Sequence, residues 1–340
     1  MTSSSSTGGY KTEKSWKSWL PKDVSILLVL LGTALVFELL GWFIVDQSFI
    51  FNTKRLTIII LQMSVIGIIA IGVTQIIIMA GIDLSSGSML AFTGLVAASF
   101  AQTSEYTRAV YPALTDMPVL VPIFAGILMG FLLGGVNGGL IGYAGIPPFI
   151  ATLGMLVAAR GLARWYTSGS QVSFFIDDYS YLGSGIVPVV IFLTTAIMFH
   201  LLLRYTKYGR YTYAIGSNEK AARVAGINIK AHKVLVYTIA GGLYGLAAVV
   251  ETSRTLTAQS GAGMLYELDA IAAVVIGGTS LMGGKGRITG TIIGVCILGV
   301  ITSGFTFLGI GSFYTNIVKG IIIVAAVVAD QYRNNRRANR

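Results

Sequence analysis

Apolar runs of about 20 residues recur along the whole chain, and this is the length that a helix needs to cross a membrane. The 340 residues are 54% hydrophobic and only 11% charged, whereas a soluble domain carries about 25% charged residues. The pattern predicts an all-α polytopic membrane protein with no room for a separate soluble domain.

We predict about ten transmembrane helices. Two of them, 86–102 and 267–281, are shorter than a straight crossing needs, so we expect them to be broken or partly buried in protein. The predicted spans are 24–44, 57–79, 86–102, 118–142, 148–167, 186–203, 233–252, 267–281, 288–308 and 313–329.

Lysine and arginine set the orientation, because they favour cytoplasmic loops. Most of the 24 basic residues lie on one side if both termini are cytoplasmic. We therefore predict cytoplasmic tails at 1–23 and 330–340, one transmembrane domain at 24–329, and a long basic cytoplasmic loop at 204–232. Because the basic residues are confined to loops and tails, the net charge of +10 does not indicate a nucleic-acid partner.

A glycine-rich stretch, GGTSLMGGKGRITG at 277–290, raises the question of a phosphate-binding loop. Such a loop reads G-x-x-x-x-G-K-[ST], but Thr279 stands where its first glycine belongs and Gly286 follows Lys285. The stretch instead predicts a tight cytoplasmic turn between two membrane helices, with Lys285 and Arg287 at the inner surface.

An acidic residue, Asp83, interrupts an apolar region in MAGIDLSSGSMLAFTG. An acid near membrane depth is costly and marks a functional site by default. Asp83 could equally cap the helix that follows it. Both interpretations fit a broken helix that starts beside a cavity, as in many transporters.

Within the basic loop, the sequence SNEKAARVAG predicts a short helix. Ser217 or Asn218 can cap it, Glu219 suits its first turn, and Gly226 is placed to end it. The segment is either a docking helix for a cytoplasmic partner or a solvated loop.

Polar side chains inside the spans are candidates for a solute path. Each could bind a hydroxylated solute in a low-dielectric cavity or bond a neighbouring helix. The candidates are Gln62, Thr74, Gln75, Asp83, Asn137 and Thr152.

Catalytic and metal sites are not predicted. The chain has one cysteine, Cys296, and two isolated histidines, His200 and His232, which is too few for a metal centre or a disulfide framework. An intramembrane enzyme would need a His-Glu-x-x-His helix or a Ser–His pair. An ion-coupled transporter would need a mid-membrane acid, for which Glu38 and Asp83 are the candidates.

Three stretches together carry a family resemblance: AGIDLSSGSMLAFTG, YAIGSNEKAARVAGINI and YELDAIAAVVIGGTSLMGGKGRITGT. The chain resembles the membrane permease subunit of bacterial ribose/galactose-type ABC importers, with branched-chain amino-acid permeases as distant relatives. The resemblance implies a type II-like, ten-helix permease in the inner membrane. Its expected solute is a monosaccharide or related polyol, such as ribose, galactose, another pentose or hexose, or myo-inositol; a nucleoside or a branched-chain amino acid is the alternative.

The resemblance also implies partners: a second permease copy, expected to be identical, a cytoplasmic ABC ATPase that holds ATP and magnesium, and a periplasmic sugar-binding protein. This chain itself would hold no cofactor. By position, the family's ATPase-coupling segment corresponds to Gly216, Asn218, Glu219, Ala221, Ala222, Arg223, Gly226 and Ile227. Its signature turn, a gate or a second ATPase contact, corresponds to Gly278, Thr279, Gly283, Gly284, Lys285, Gly286 and Arg287.

Overall fold

A computed structural model describes residues 22–338, and these residues are almost entirely helical. A short π-helical turn, Gly41–Val45, extends the first helix. The α-helices are α1 (Lys22–Leu40), α2 (Thr53–Ile78), α3 (Ser86–Phe100), α4 (Leu120–Gly142), α5 (Pro148–Tyr166), α6 (Asp177–Tyr181), α7 (Val187–Tyr205), α8 (Lys207–Ser217), α9 (Glu219–Val224), α10 (Ile229–Thr255), α11 (Tyr266–Ile276), α12 (Ile288–Phe307) and α13 (Ser312–Ala338).

The predicted fold class is confirmed, since the described residues form a helical protein with several membrane-length apolar helices. Every predicted span contains a helix, but six helices in the described part of the chain are long and apolar enough to cross a membrane by themselves. The count of ten crossings stays a prediction. The six are α1 with its extension, α2, α4, α7, α10 and α12.

Helices α2 and α10 form the centre of the protein: 61% and 72% of the residues in their apolar stretches are buried, against only 11% in α1. Helix α2 packs against α7, α10, α11 and α12, while α1 packs mainly against α12. Any movement of α2 therefore acts on most of the bundle, and α1 lies at the periphery.

The closest helix pair is α4 with α10, and glycine makes this approach possible. A Cβ atom at Gly130 would lie 2.2 Å from the Gly241 carbonyl oxygen, and one at Gly134 would lie 2.3 Å from the Tyr237 carbonyl oxygen. Glycine at every fourth position of α4 forms a stripe of small residues, which lets two membrane helices bring their backbones together.

Helix α3 begins inside the protein, whereas α11 begins at a partly exposed loop. Residues 81–85 reach α3 as a mostly buried non-helical segment, and α11 follows the non-helical segment 259–265, in which Met264 and Leu265 are exposed. The two helix starts meet, because a Cβ at Gly87 would lie 2.1 Å from the Gly263 carbonyl oxygen. For α3 this is the broken, buried geometry that its short length led us to expect.

The connections form two groups. At one end, β1 (Val172–Ser173) pairs antiparallel with β2 (Thr257–Ala258), and Gln102 bridges to Phe175. At the other end, the last two residues of α8, Gly216 and Ser217, pack against the glycine-rich turn after α11.

The predicted tails are only partly covered. Of the segment 1–23, all but Lys22 and Asp23 lies outside the described residues. At the other end, α13 continues to Ala338, past the boundary predicted at 329.

Replacing Gly134 by alanine should destabilise the α4–α10 pair, because the new methyl group would collide with the backbone of α10. We expect a cost of about 1–3 kcal/mol, as for other overpacked sites. The matched control is Gly139→Ala, since nothing lies within 4 Å of a Cβ there. The measurement is the thermal unfolding midpoint of each purified variant in mild detergent. Equal midpoints for the two variants would contradict the packing account.

Candidate functional site

The short helix α9 begins at a side-chain cap. Asn218 has extended backbone geometry, and its side-chain oxygen accepts a hydrogen bond of 3.0 Å from the Ala221 N–H. This bond satisfies one of the free amide groups at the helix start. Of the two predicted caps, Ser217 and Asn218, the structure uses Asn218.

The end of α9 follows the predicted glycine signal. Gly226 has a φ of +83°, a left-handed conformation that favours glycine. The Ile227 N–H donates to the Ala222 carbonyl at 3.1 Å, which closes the helix. Asn228 then caps α10, because its side chain accepts a hydrogen bond of 3.1 Å from the Ala231 N–H.

An ion pair fastens α9 to the start of α10. The Lys233 ammonium lies 2.9 Å from a Glu219 carboxylate oxygen, and Lys233 is mostly buried. The second pair, from Glu219 to the exposed Arg223 at 3.6 Å, contributes little to stability. The Glu219 carboxylate therefore acts mainly as a link between the two helices.

The outward surface of α9 carries a residue that the sequence analysis missed. Val224 is 90% exposed, whereas Ala222 and Gly216 are buried. On a helix of 3.6 residues per turn, Val224 points almost opposite to Ala222. The signal available for Val224 was its apolar side chain in an otherwise polar segment, two positions from the buried Ala222.

The glycine-rich stretch forms the predicted tight turn. Gly278, Gly283 and Gly284 have φ values of +86°, +81° and +70°, which L side chains rarely adopt. Met282, Lys285 and Arg287 are exposed on this turn. Thr279 is buried, and its hydroxyl has no hydrogen-bond partner within residues 22–338.

Backbone contacts join this turn to two helices. The Gly284 N–H donates to the Ile78 carbonyl at the end of α2, at 2.8 Å. A Cβ at Gly216 in α8 would lie 1.8 Å from that same Ile78 oxygen. We call the meeting of Ile78, Gly216 and Gly284 the backbone junction.

A tyrosine and a histidine add side-chain bonds near the backbone junction. The Tyr213 hydroxyl donates to the Gly286 carbonyl at 2.9 Å, and burial raises the pKa of Tyr213, so the hydroxyl stays protonated. Thr212 and the His232 Nε2 atom form a hydrogen bond of 2.9 Å. His232 thus ties α8 to α10. No group of three metal-binding side chains occurs in the part of the chain that the structure describes.

The acid Asp83 lies in a buried polar network. One carboxylate oxygen accepts bonds from the Ser85 N–H at 2.8 Å and the Ser85 hydroxyl at 2.6 Å, and the other accepts from the Tyr244 hydroxyl at 3.0 Å. Asn137 donates to the Ser85 hydroxyl at 3.0 Å. Ser85, not Asp83, is the N-cap residue of α3, so Asp83 shapes the chain before the helix rather than capping it.

Three of the other path candidates also have partners in the protein. The hydroxyl groups of Thr74 and Thr291 are 2.8 Å apart. The Gln75 carbonyl oxygen accepts from the Tyr208 hydroxyl, and the Thr152 hydroxyl lies 3.4 Å from the Ile82 carbonyl oxygen. All three link separate elements.

Gln62 differs from the other candidates. Its side chain lines a cavity and makes no hydrogen bond within residues 22–338. Glu38 is bonded: it accepts from the Phe49 and Ile50 N–H groups at 2.8 and 2.7 Å, and thereby holds the turn after α1.

Known permeases match this protein over most of its chain. A family model described as "Branched-chain amino acid transport system / permease component" matches residues 55–327. The ribose import permease protein of Escherichia coli (strain K12) is 40% identical over 323 residues, which cover 92% of this chain and 95% of that protein. No solved structure gave a match.

Two further relatives are also sugar permeases, and one of them is named for galactose rather than ribose. The ribose import permease protein of Bacillus subtilis (strain 168) is 44% identical over 280 residues, covering 80% of this chain and 83% of that protein. The galactose/methyl galactoside import permease protein of Salmonella typhimurium (strain LT2) is 33% identical over 338 residues, which cover 96% of this chain and 98% of that protein. The chain belongs to the permease family of ribose- and galactose-type ABC importers.

In this permease, the matched region includes α9, the backbone junction and the whole polar interior. The roles assigned by resemblance to the coupling residues and to the turn stay predictions. Their positions are informative: both segments lie at the same end of the helices, and the backbone junction connects them to α2.

Replacing Gly284 by alanine should loosen the backbone junction. The matched control is Gly145→Ala, because both glycines have a φ near +70° but nothing lies within 4 Å of a Cβ at Gly145. Both variants bear the left-handed strain of roughly 1–2 kcal/mol. Gly284→Ala alone adds a contact 2.9 Å from the Ser217 Cα. We expect it to have the lower thermal midpoint and faster trypsin cleavage after Lys285; identical behaviour would show that the contact is unimportant.

Proposed function

We propose that this permease forms the membrane path of an ATP-driven importer for a monosaccharide or a related polyol. The ribose and galactose permeases similar to it support the solute class. The observation that carries the coupling proposal is α9, a short, capped and tethered helix that exposes Val224.

In this proposal α9 is the contact for a cytoplasmic ABC ATPase. A bare apolar side chain on a rigid short helix is suited to a pocket on a partner. ATP and magnesium belong to that partner. The glycine-rich turn supports this assignment, because two of its left-handed glycines, Gly283 and Gly284, lie against backbone atoms at the ends of α2 and α8.

The backbone junction gives a route for the mechanical step. When the ATPase pulls or pushes α9, the displacement reaches Gly216 at the end of α8 through the short link at Asn218. Gly216 lies against the Ile78 carbonyl, so the end of α2 must move with it. Because α2 packs against α7, α10, α11 and α12, these neighbouring helices rearrange around the path.

The positions of the remaining partners depend on how the permease is oriented in the membrane. We place both termini, α9 and the glycine-rich turn in the cytoplasm, and the membrane is the bacterial inner membrane. The opposite end, built from the β1–β2 pair and the loops around it, then faces the periplasm and receives a sugar-binding protein. A second copy of the permease completes the path.

Replacing Val224 by aspartate should detach the ATPase, because a charge would have to be buried at the contact. The permease would be tagged and purified from its native membrane in mild detergent, and the co-purifying proteins identified. We expect the wild type to retain an ATPase subunit and Val224→Asp to lose it.

The matched control is Ile186→Asp, since Ile186 is 71% exposed at the opposite end of the protein. This variant should keep the ATPase. Retention of the ATPase by Val224→Asp, or its loss in both variants, would contradict the docking proposal.

A further inference from the structure

Two opposite charges meet between helices in the membrane-spanning part of the protein. The Lys319 ammonium of α13 lies 2.9 Å from an Asp269 carboxylate oxygen of α11. The side chains are 17% and 10% exposed, respectively. Ionisable residues inside membrane proteins are costly, usually pair with one another, and mark solute or ion pathways.

The ion pair borders a cavity. Its volume is about 20 Å³, and it lies between α2, α11, α12 and α13. A single water molecule or hydroxyl group needs roughly 10–15 Å³ of such space. Besides the ion pair, the polar groups at its wall are Gln62 and Thr302, and most of the remaining wall is apolar.

Gln62 gives this cavity an amide group that is free to bind an occupant, which a simple packing defect would lack. The amide can donate two hydrogen bonds and accept two, yet it makes none within the described residues. Lys319 bonds only one of the two Asp269 oxygens. The Gln62 amide is half-buried and has no partner within the described residues, so an occupant with hydrogen-bonding groups fits this wall.

We propose that this cavity is a solute contact on the import path, where Gln62 and the Asp269–Lys319 pair bind one hydroxyl group of a neutral sugar or polyol. The inference rests on the proposed function. The charges of the pair cancel, which suits a neutral solute better than an ion. The cavity holds a hydroxyl group but not a sugar ring, so the ring would lie at its open mouth.

The test uses the importer purified with its accompanying ATPase and binding protein and reconstituted in vesicles. Uptake of labelled ribose and galactose is measured beside ATP hydrolysis. Gln62→Leu removes the amide while nearly keeping the size of the side chain. Uptake should fall about three- to tenfold, the effect of one lost hydrogen bond, with ATP hydrolysis retained.

The control is Asn316→Leu, the same amide-to-leucine change at an exposed position of α13 that does not line the cavity. It should leave uptake unchanged. Wild-type uptake by Gln62→Leu would overturn the proposal.

A reciprocal exchange separates solute contact from a structural role of the ion pair. Asp269→Lys combined with Lys319→Asp keeps the attraction but exchanges donor and acceptor positions. We expect normal amounts of folded protein and at least threefold slower uptake. Wild-type uptake by the exchanged pair would show that the two charges serve only to hold α11 against α13.

Monodeoxy analogues of the imported sugar provide a readout that folding alone cannot change. The wild type should import at least one analogue more slowly than the parent sugar, and Gln62→Leu should lessen that difference. Because the binding protein is the same in both samples, a changed ratio comes from the permease. An unchanged ratio for every analogue counts against the site, whereas a wild type that imports neither sugar counts against the proposed function itself.

Discussion

A chain inside a lipid bilayer must satisfy its backbone hydrogen bonds within the protein, and the architecture depends on how this is done. The requirement is hardest to meet at 81–85, where the chain enters the bundle without helical bonds, and it applies also to the partly exposed loop 259–265. The Tyr237 hydroxyl lies 3.3 Å from the Ile82 carbonyl, and Arg160 donates to the Ser260 and Ala262 carbonyls at 2.6 and 2.7 Å. These long-range bonds hold both non-helical segments in place and allow α3 to start in the interior with its polar groups.

The same need to satisfy backbone hydrogen bonds links α2 in the interior to the glycine-rich turn at the surface. The last carbonyl of α2 has no partner within its own helix, and the glycine-rich turn supplies one through Gly284. Glycine at position 216 lets α8 approach the same carbonyl. A contact made by backbone atoms transmits displacement better than one made by long side chains. We regard this as the physical reason why coupling would run from α9 to α2.

Much of this was predictable from the sequence because it depends on local signals. Apolar run length gave the fold class, and the cap and end signals at Asn218 and Gly226 gave the bounds of α9. The exposure of Val224 and the partners of Asp83 were not predictable, since they depend on which helices become neighbours. Gln62 could not be distinguished from Thr74 for the same reason: both are polar residues within a span, and only packing leaves one of them without a partner.

On the proposed function, the permease is a passive path that is driven by an external ATPase. The chain brings a tethered short helix, a backbone junction and a polar cavity to this task. The central claim is that solute movement depends on ATP hydrolysis by a partner. The most direct measurement is sugar uptake into vesicles that contain the permease, with and without its ATPase and ATP. The account predicts uptake only when both are present; uptake by the permease alone would contradict it.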